Sequence, residues 1–208
     1  MKISTKLVVL FGLLFGSVSA NAVEMSTTIG LGSDYFWRGV SQNSGNPALS
    51  GGTEISQGGF YVGVWGSQVD FGDDASYEYD LYGGYGVSLT EEISVGVGMV
   101  RYMYDHSYDA AEEVFVTGSY RSLDVEYYRN RDRSLSDLDY FSVSTVLPGI
   151  SVVDVSVQYG QFGDGTDHKG VTLSKSLTDK VDVSLLVRST VRSDQFWDDA
   201  AVSISYTF

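Results

Sequence analysis

The residues of this chain that could do chemistry are ionisable side chains, which recur in runs where polar and apolar residues alternate. A two-residue period puts successive side chains on opposite faces of a β-strand. In a barrel that spans a membrane the apolar row faces lipid, so the polar row faces the interior. By this parity ten ionisable residues are predicted to line a pore: Asp34, Arg38, Glu54, Glu78, Asp80, Asp124, Glu126, Asp154, Asp182 and Arg188.

Acids outnumber arginines in this predicted pore-lining set. An ionisable group at membrane depth must find a partner or water, so a water-filled interior would prefer cations. The alternative is an interior closed by salt bridges. Size does not choose between them, because a barrel of about twelve strands lies between the filled eight-stranded type and the open sixteen-stranded porins.

The two histidines, His106 and His168, are the residues to weigh for catalysis. A nucleophilic triad needs a histidine beside a serine and an acid. Both histidines fall in predicted connections, where we read them as solvated, and the sequence has no G-x-S-x-G motif. The sequence therefore predicts no catalytic residue and no cofactor, and a lipid-modifying barrel enzyme is kept only as an alternative.

The longer connections are rich in carboxylates, the ligands preferred by hard cations such as Ca²⁺. No spacing matches an EF-hand loop, so no dedicated metal site is predicted. Weakly held divalent cations that bridge lipopolysaccharide phosphates are the alternative. The groups are Asp73-Asp74, Asp109 with Glu112-Glu113, Asp137 with Asp139, Asp164 with Asp167, and Asp198-Asp199.

Twelve alternating runs predict the elements that position these residues. The clearest places Val181, Val183, Leu185 and Val187 on one face. The predicted strands are 25–40, 48–56, 59–69, 76–88, 92–104, 112–121, 122–129, 138–147, 151–161, 169–177, 180–191 and 200–208.

Short and long connections alternate strictly between the predicted strands. The short ones are 57–59, 90–91, 121–122, 148–150 and 178–180, and the long ones are 41–47, 70–75, 105–111, 130–137, 160–168 and 192–199. Short periplasmic turns and long external loops are typical of outer-membrane barrels. The fold class is therefore predicted as all-β, an antiparallel up-and-down transmembrane β-barrel of about twelve strands. A soluble periplasmic sandwich is the alternative, because alternation alone fits both.

The N-terminus predicts export. Lys2 and Lys6 precede an apolar stretch over 7–15, and small residues end at Ala22. We expect a signal peptide at 1–22, cleaved after Ala22, and a barrel domain at 23–208. The barrel would carry 11 basic and 27 acidic residues, a net charge of −16, which disfavours nucleic acid as a partner. The chain has no cysteine, so its fold cannot rely on disulfides.

Three segments resemble the TorF-type porins, a family of small Gram-negative outer-membrane proteins. Residues 33–42 read SDYFWRGVSQ and look like the opening motif of that family, while 59–67 and 78–85 are similar to its second and third motifs. Together they cover the first third of the predicted barrel domain. The resemblance implies a porin-like barrel in the bacterial outer membrane, and it carries no family binding site over to this sequence.

The C-terminal run ends in Tyr206 and Phe208 on its apolar row. A terminal aromatic on such a strand resembles the assembly signal read by the barrel-assembly machinery, which we expect as a partner together with outer-membrane lipid, lipopolysaccharide and small solutes. The sequence thus predicts a porin-like channel. A closed binding or structural barrel that acts through acidic external loops is the alternative.

Overall fold

The computed structural model describes residues 22–106, 110–148, 152–192 and 195–208. The predicted signal peptide, apart from Ala22, lies outside these residues. Within them no helix has the length and apolar character needed to cross a membrane.

Twelve antiparallel strands form a closed barrel, which confirms the predicted fold class. Two further strands, β2 and β3, form a separate two-stranded ribbon, and a 3₁₀ helix spans Arg133–Leu138. The strands are β1 Glu24–Gly32, β2 Phe36–Trp37, β3 Val40–Ser41, β4 Ala48–Gln57, β5 Phe60–Gln68, β6 Tyr77–Ser88, β7 Ile93–Tyr104, β8 Ala111–Tyr120, β9 Leu123–Asn130, β10 Tyr140–Leu147, β11 Asp154–Phe162, β12 Asp167–Ser176, β13 Val181–Arg192 and β14 Gln195–Thr207.

The barrel closes between its first and last strands. Strand β1 pairs with β4 on one side and with β14 on the other, where Thr28 lies opposite Thr207. The backbone N–H of Phe208 donates to the carbonyl of Thr27 at 2.9 Å. Closure leaves no unpaired sheet edge, which is the condition for a sheet in lipid.

Each barrel strand presents an apolar row outward and a polar or aromatic row inward. Val62 and Val64 on β5 are about half exposed, whereas Glu78 and Asp80 on β6 are 1% exposed. The predicted parity is correct along the strands. The barrel has two ends, which we call the turn end, where the short connections such as 121–122 lie, and the loop end, where the longer ones lie.

The first predicted strand, 25–40, is wrong beyond Gly32. Residues 33–47 leave the barrel wall and form the β2–β3 ribbon, in which Phe36 lies opposite Ser41. The ribbon turns through Arg38 (φ 46°) and Gly39 (φ 85°), a left-handed backbone that strands do not adopt. We call 33–47 the inward hairpin, because its side chains contact residues on the inner rows of the barrel.

Two strands also extend further toward the loop end than the sequence predicted. Strand β14 begins at Gln195, so the predicted long connection 192–199 is wrong, and β12 begins at Asp167 rather than at residue 169. Polar residues at these strand ends resembled loop composition. Of these residues, His168 and Asp199 belong to the polar inner row, whereas Lys169 and Asp198 lie on the outer row.

Candidate functional site in the barrel interior

The inward hairpin is held across the interior by contacts with several barrel strands. The hydroxyl of Thr190 on β13 donates to the carbonyl of Gly39 at 2.9 Å. A Cβ on Gly39 would lie 2.5 Å from the Cγ of His168 on β12, so only glycine fits at this turn. At the base of the hairpin, the N–H of Asp70 donates to the carbonyl of Gln42 at 2.8 Å.

Arg38 at the hairpin tip makes the principal polar contact of the interior. Its Nη1 and Nη2 donate to the two carboxylate oxygens of Glu113 at 2.8 and 2.5 Å. The hydroxyl of Tyr102 donates to the same carboxylate at 3.0 Å. The Arg38 side chain is 8% exposed and that of Glu113 is 1% exposed. Bidentate pairs of this kind are geometrically specific, and each ion depends on the other for its burial.

Three aromatic rings surround the Arg38 guanidinium. Its central carbon lies 4.5 Å from the ring centroid of Trp37, 4.3 Å from that of Tyr128 and 4.5 Å from that of Tyr140. A planar cation over aromatic faces gains cation–π attraction, which is larger where water is excluded. These rings belong to the buried aromatic cluster of the barrel, which also contains Phe115 and Phe162.

Two acids on β6 lie beside this cluster. Glu78 accepts a hydrogen bond from the Tyr35 hydroxyl at 2.8 Å, so the hairpin also contacts this strand. Asp80 lies opposite Trp65 on β5 and Tyr102 on β7. Both carboxylate oxygens of Asp80 are buried, and neither has a hydrogen-bond partner among the described residues.

A second arginine contacts the other side of the hairpin. Arg188 on β13 donates to Asp199 and to Thr190, each at 3.1 Å, and its guanidinium lies 3.7 Å from the ring centroid of Phe36. Asp34 stays within the hairpin, where its Oδ1 accepts from the Tyr35 N–H at 2.7 Å and from the Ser41 hydroxyl at 3.0 Å.

His168 corrects the prediction of a solvated loop histidine. It lies on β12, is 3% exposed, and its Nε2 is 2.8 Å from the hydroxyl of Tyr140. The two rings stack with an interplanar angle of 4°. His106 is exposed and pairs with Asp105 at 3.3 Å, whereas its neighbour Ser107 lies outside the described residues.

The ten predicted pore-lining residues fall into two groups. The structure brings five together at the level of the hairpin: Asp34, Arg38, Glu78, Asp80 and Arg188. Of these, Asp34 and Arg38 belong to the hairpin and not to a strand, which corrects their predicted placement. The other five lie on inner rows nearer the turn end and are half-buried or exposed: Glu54, Asp124, Glu126, Asp154 and Asp182.

Two inward acids, Glu113 and Asp199, are absent from the predicted pore-lining set. Glu113 falls in the predicted strand 112–121 but was grouped with the loop carboxylates, and Asp199 was placed in the predicted connection 192–199. Glu113 lies two and four residues before Phe115 and Thr117, so all three side chains share the inner face of β8. This alternation was the feature of the sequence that could have predicted an inward Glu113. The acids that remain in loops have local roles. Asp105 accepts the backbone N–H groups of Ser76 and Tyr77 at 2.9 and 3.1 Å, and these bonds hold the pKa of its carboxyl below the usual value. Over the described ranges, no group of three or more potential ligands could hold a metal ion.

Comparison with known proteins identifies both a family and a fold. The family model described as "Bacterial protein of unknown function (Gcw_chp)" matches residues 17–130. No curated protein matches the chain. Two solved structures, the KdgM porin and the KdgM porin in complex with disordered oligogalacturonate, each align with a TM-score of 0.60 at 10% identity. Each alignment covers 90% of this chain and 99% of the porin. At this identity the likeness shows the fold, and the resemblance to TorF-type porins stays a prediction.

Proposed function

We propose that this chain, which belongs to the Gcw_chp family of bacterial proteins, is a porin-like channel of the bacterial outer membrane that passes small solutes and prefers cations. The observation that carries the proposal is a closed barrel with polar inner rows, whose interior holds the inward hairpin through Arg38 and Gly39. The fold shared with the KdgM porin supports it. A channel needs no reacting group, and we assign no catalytic role to His106 or His168.

The charge of the inner rows supports the preference for cations. Each inward arginine is paired with an acid, Arg38 with Glu113 and Arg188 with Asp199. The other inward acids on the strands have no basic partner within the described part of the chain: Glu54, Glu78, Asp80, Asp124, Glu126, Asp154 and Asp182. The interior field is therefore negative. Oligogalacturonate, the ligand of one KdgM structure, is a polyanion, and we expect this lumen to disfavour such a solute.

Reversal potentials in planar bilayers under a salt gradient test this proposal. Neutralising Asp154 and Asp182 as D154N/D182N removes two inward acids near the turn end, so we expect the cation-selective reversal potential to move toward zero. The matched control is E91Q, which removes an exposed acid from a turn and leaves the lumen charge unchanged. An anion-selective wild-type channel would contradict the cation preference, and a barrel without conductance steps would contradict the channel.

A closed barrel that acts through its external loops is the second candidate. The burial of Arg38, Glu78, Asp80 and Glu113 favours it, because the Arg38–Glu113 ion pair and two further buried acids lie in the interior at the level of the hairpin. This candidate predicts that the wild-type barrel is silent and that it conducts only when the hairpin, which carries Arg38, is removed by deleting 34–46 and joining the ends with a short glycine–serine linker. The channel predicts conductance steps in the wild type, and larger steps after the same deletion.

Export and insertion are part of the proposal. We propose that residues 1–22 are a signal peptide, that 23–208 form the barrel, and that Tyr206 and Phe208 are read by the assembly machinery. The rings of Tyr206 and Phe208 pack edge to face with centroids 4.9 Å apart, and Phe208 is 67% exposed, so it remains accessible to a partner. A mature chain that begins at Val23 and fractionates with the outer membrane supports this assignment, and a mature chain in the soluble periplasm contradicts it.

A further inference from the structure

The outer face of strands β5 to β9 carries a groove that the channel function does not use. Its volume is about 730 Å³. One wall is the cross-strand row Phe60, Tyr85, Val97, Val116 and Tyr127, in which each residue lies opposite the next. Phe60 and Tyr85 stack with centroids 4.7 Å apart at one end of this row.

The second wall is the next row toward the loop end. It consists of Gly83, Met99, Val114 and Arg129, again in direct register. Gly83 leaves a gap in this row because it has no side chain, and the gap deepens the groove. Five strands at a spacing of ~4.8 Å make the groove ~19 Å long, which is about the length of one extended acyl chain.

The groove ends at basic residues. Arg129 is the one charged residue among those that line the groove. Its side chain is exposed and forms no ion pair with any described residue. One row nearer the loop end, Arg101 and Arg131 flank the single acid Glu112, with Arg101 3.6 Å from it. These four residues carry a net charge of +2 on a chain whose net charge is −14.

We propose that this groove binds lipopolysaccharide, with one acyl chain of lipid A between the two rows and a lipid A phosphate at Arg129, Arg101 and Arg131. Arginine presents a planar fork of donors that matches phosphate oxygens, and an exposed arginine without an ion-pair partner is available to a phosphate at the interface. Lipopolysaccharide is the chosen occupant because the arginines lie at the loop end, which is external in an outer-membrane barrel. The inference rests on the proposed membrane location and not on conduction.

Native mass spectrometry of the purified full barrel with bis-phosphorylated lipid A tests the site. We expect R101Q/R129Q/R131Q to bind at least tenfold more weakly than wild type, and dephosphorylated lipid A to bind wild type with a similar loss. The matched control is K169Q, which removes an outward-facing cation at the loop end of β12 and keeps full affinity. Equal binding by wild type and the triple variant would overturn the proposal.

A steric variant tests the acyl half of the site. V97W fills the groove from a side chain that is 54% exposed, so we expect weaker lipid A binding. The control V171W places the same indole on the outer face of β12, where no loss is expected. Heat-modifiable migration on gels first shows that each variant is folded. Unchanged binding by V97W, or equally tight binding of phosphatidylglycerol, would overturn the assignment to lipid A. A barrel that binds lipid A but does not conduct would contradict the channel and support the groove.

Discussion

Removing Arg38 should release the inward hairpin while leaving the barrel wall intact. In R38M the carboxylate of Glu113 stays buried without its counter-ion, and the cation–π contacts with three rings are lost. Breaking a buried ion pair costs about 3–5 kcal/mol, so the ratio of docked to undocked hairpin should fall by a factor of roughly 10² to 5 × 10³. The barrel strands do not depend on this pair for their hydrogen bonds, so the wall persists.

Thiol labelling in the lumen measures this release. The chain has no cysteine, so S142C introduces a single thiol at a position on β10 that is 2% exposed. Ser142 lies two residues from Tyr140, whose ring contacts the Arg38 guanidinium. If labelling follows the open population, R38M should accelerate it by a factor of roughly 10² to 5 × 10³, and unitary conductance should rise.

Arg121 provides the matched control. It also makes two hydrogen bonds to a carboxylate, that of Glu92, but its side chain is 64% exposed. An exposed ion pair contributes about 0–1 kcal/mol, so R121M should leave labelling of S142C and conductance unchanged. Equal labelling rates in R38M and wild type, with both barrels folded, would refute the view that the Arg38–Glu113 pair holds the hairpin.

Three further predictions concern single positions. G39A should also undock the hairpin and raise conductance, because its Cβ would collide with His168 and its φ is positive; conductance equal to wild type would show that the tip is not held there. The pKa of Asp105 is lowered in the folded protein, so the bonds from Ser76 and Tyr77 stabilise the loop above its unfolded pKa of about 4 and are lost as the pH falls. Hydrogen exchange at these two amides should therefore quicken at acidic pH in wild type, and D105N should remove this pH dependence. Deleting Phe208 should reduce the yield of inserted barrel in cells, and normal insertion would contradict its role in assembly.

The barrel wall was predictable because a local signal determines it. Residues on β13 alternate between apolar and polar because successive side chains face lipid and the interior in turn. The polarity of each residue therefore predicts which face of the wall it lies on. The register is consistent with this alternation, since a slip of one residue would turn Asp182 and Arg188 toward lipid.

The inward hairpin was not predictable in the same way. Its residues continue an alternating pattern past Gly32, so 33–40 read as more strand. What turns the chain inward is a set of partners remote in sequence, among them Glu113 and Thr190, which alternation cannot reveal. Arg38 does lie in the interior. Because residues 33–40 were predicted as strand, however, Arg38 was expected on the barrel wall and not at the tip of a hairpin.

The inward hairpin also constrains the order in which the chain can fold. Gly39 and Thr190 are 151 residues apart, so their hydrogen bond closes a loop that contains most of the barrel. Contacts of such high sequence separation form late, because their loop-closure entropy is offset only once the intervening strands are in place. Docking of Arg38 therefore belongs after the folding transition state, and weakening it should speed unfolding with little effect on the folding rate. A nascent barrel would then have a wide lumen that narrows only when β13 has joined the wall.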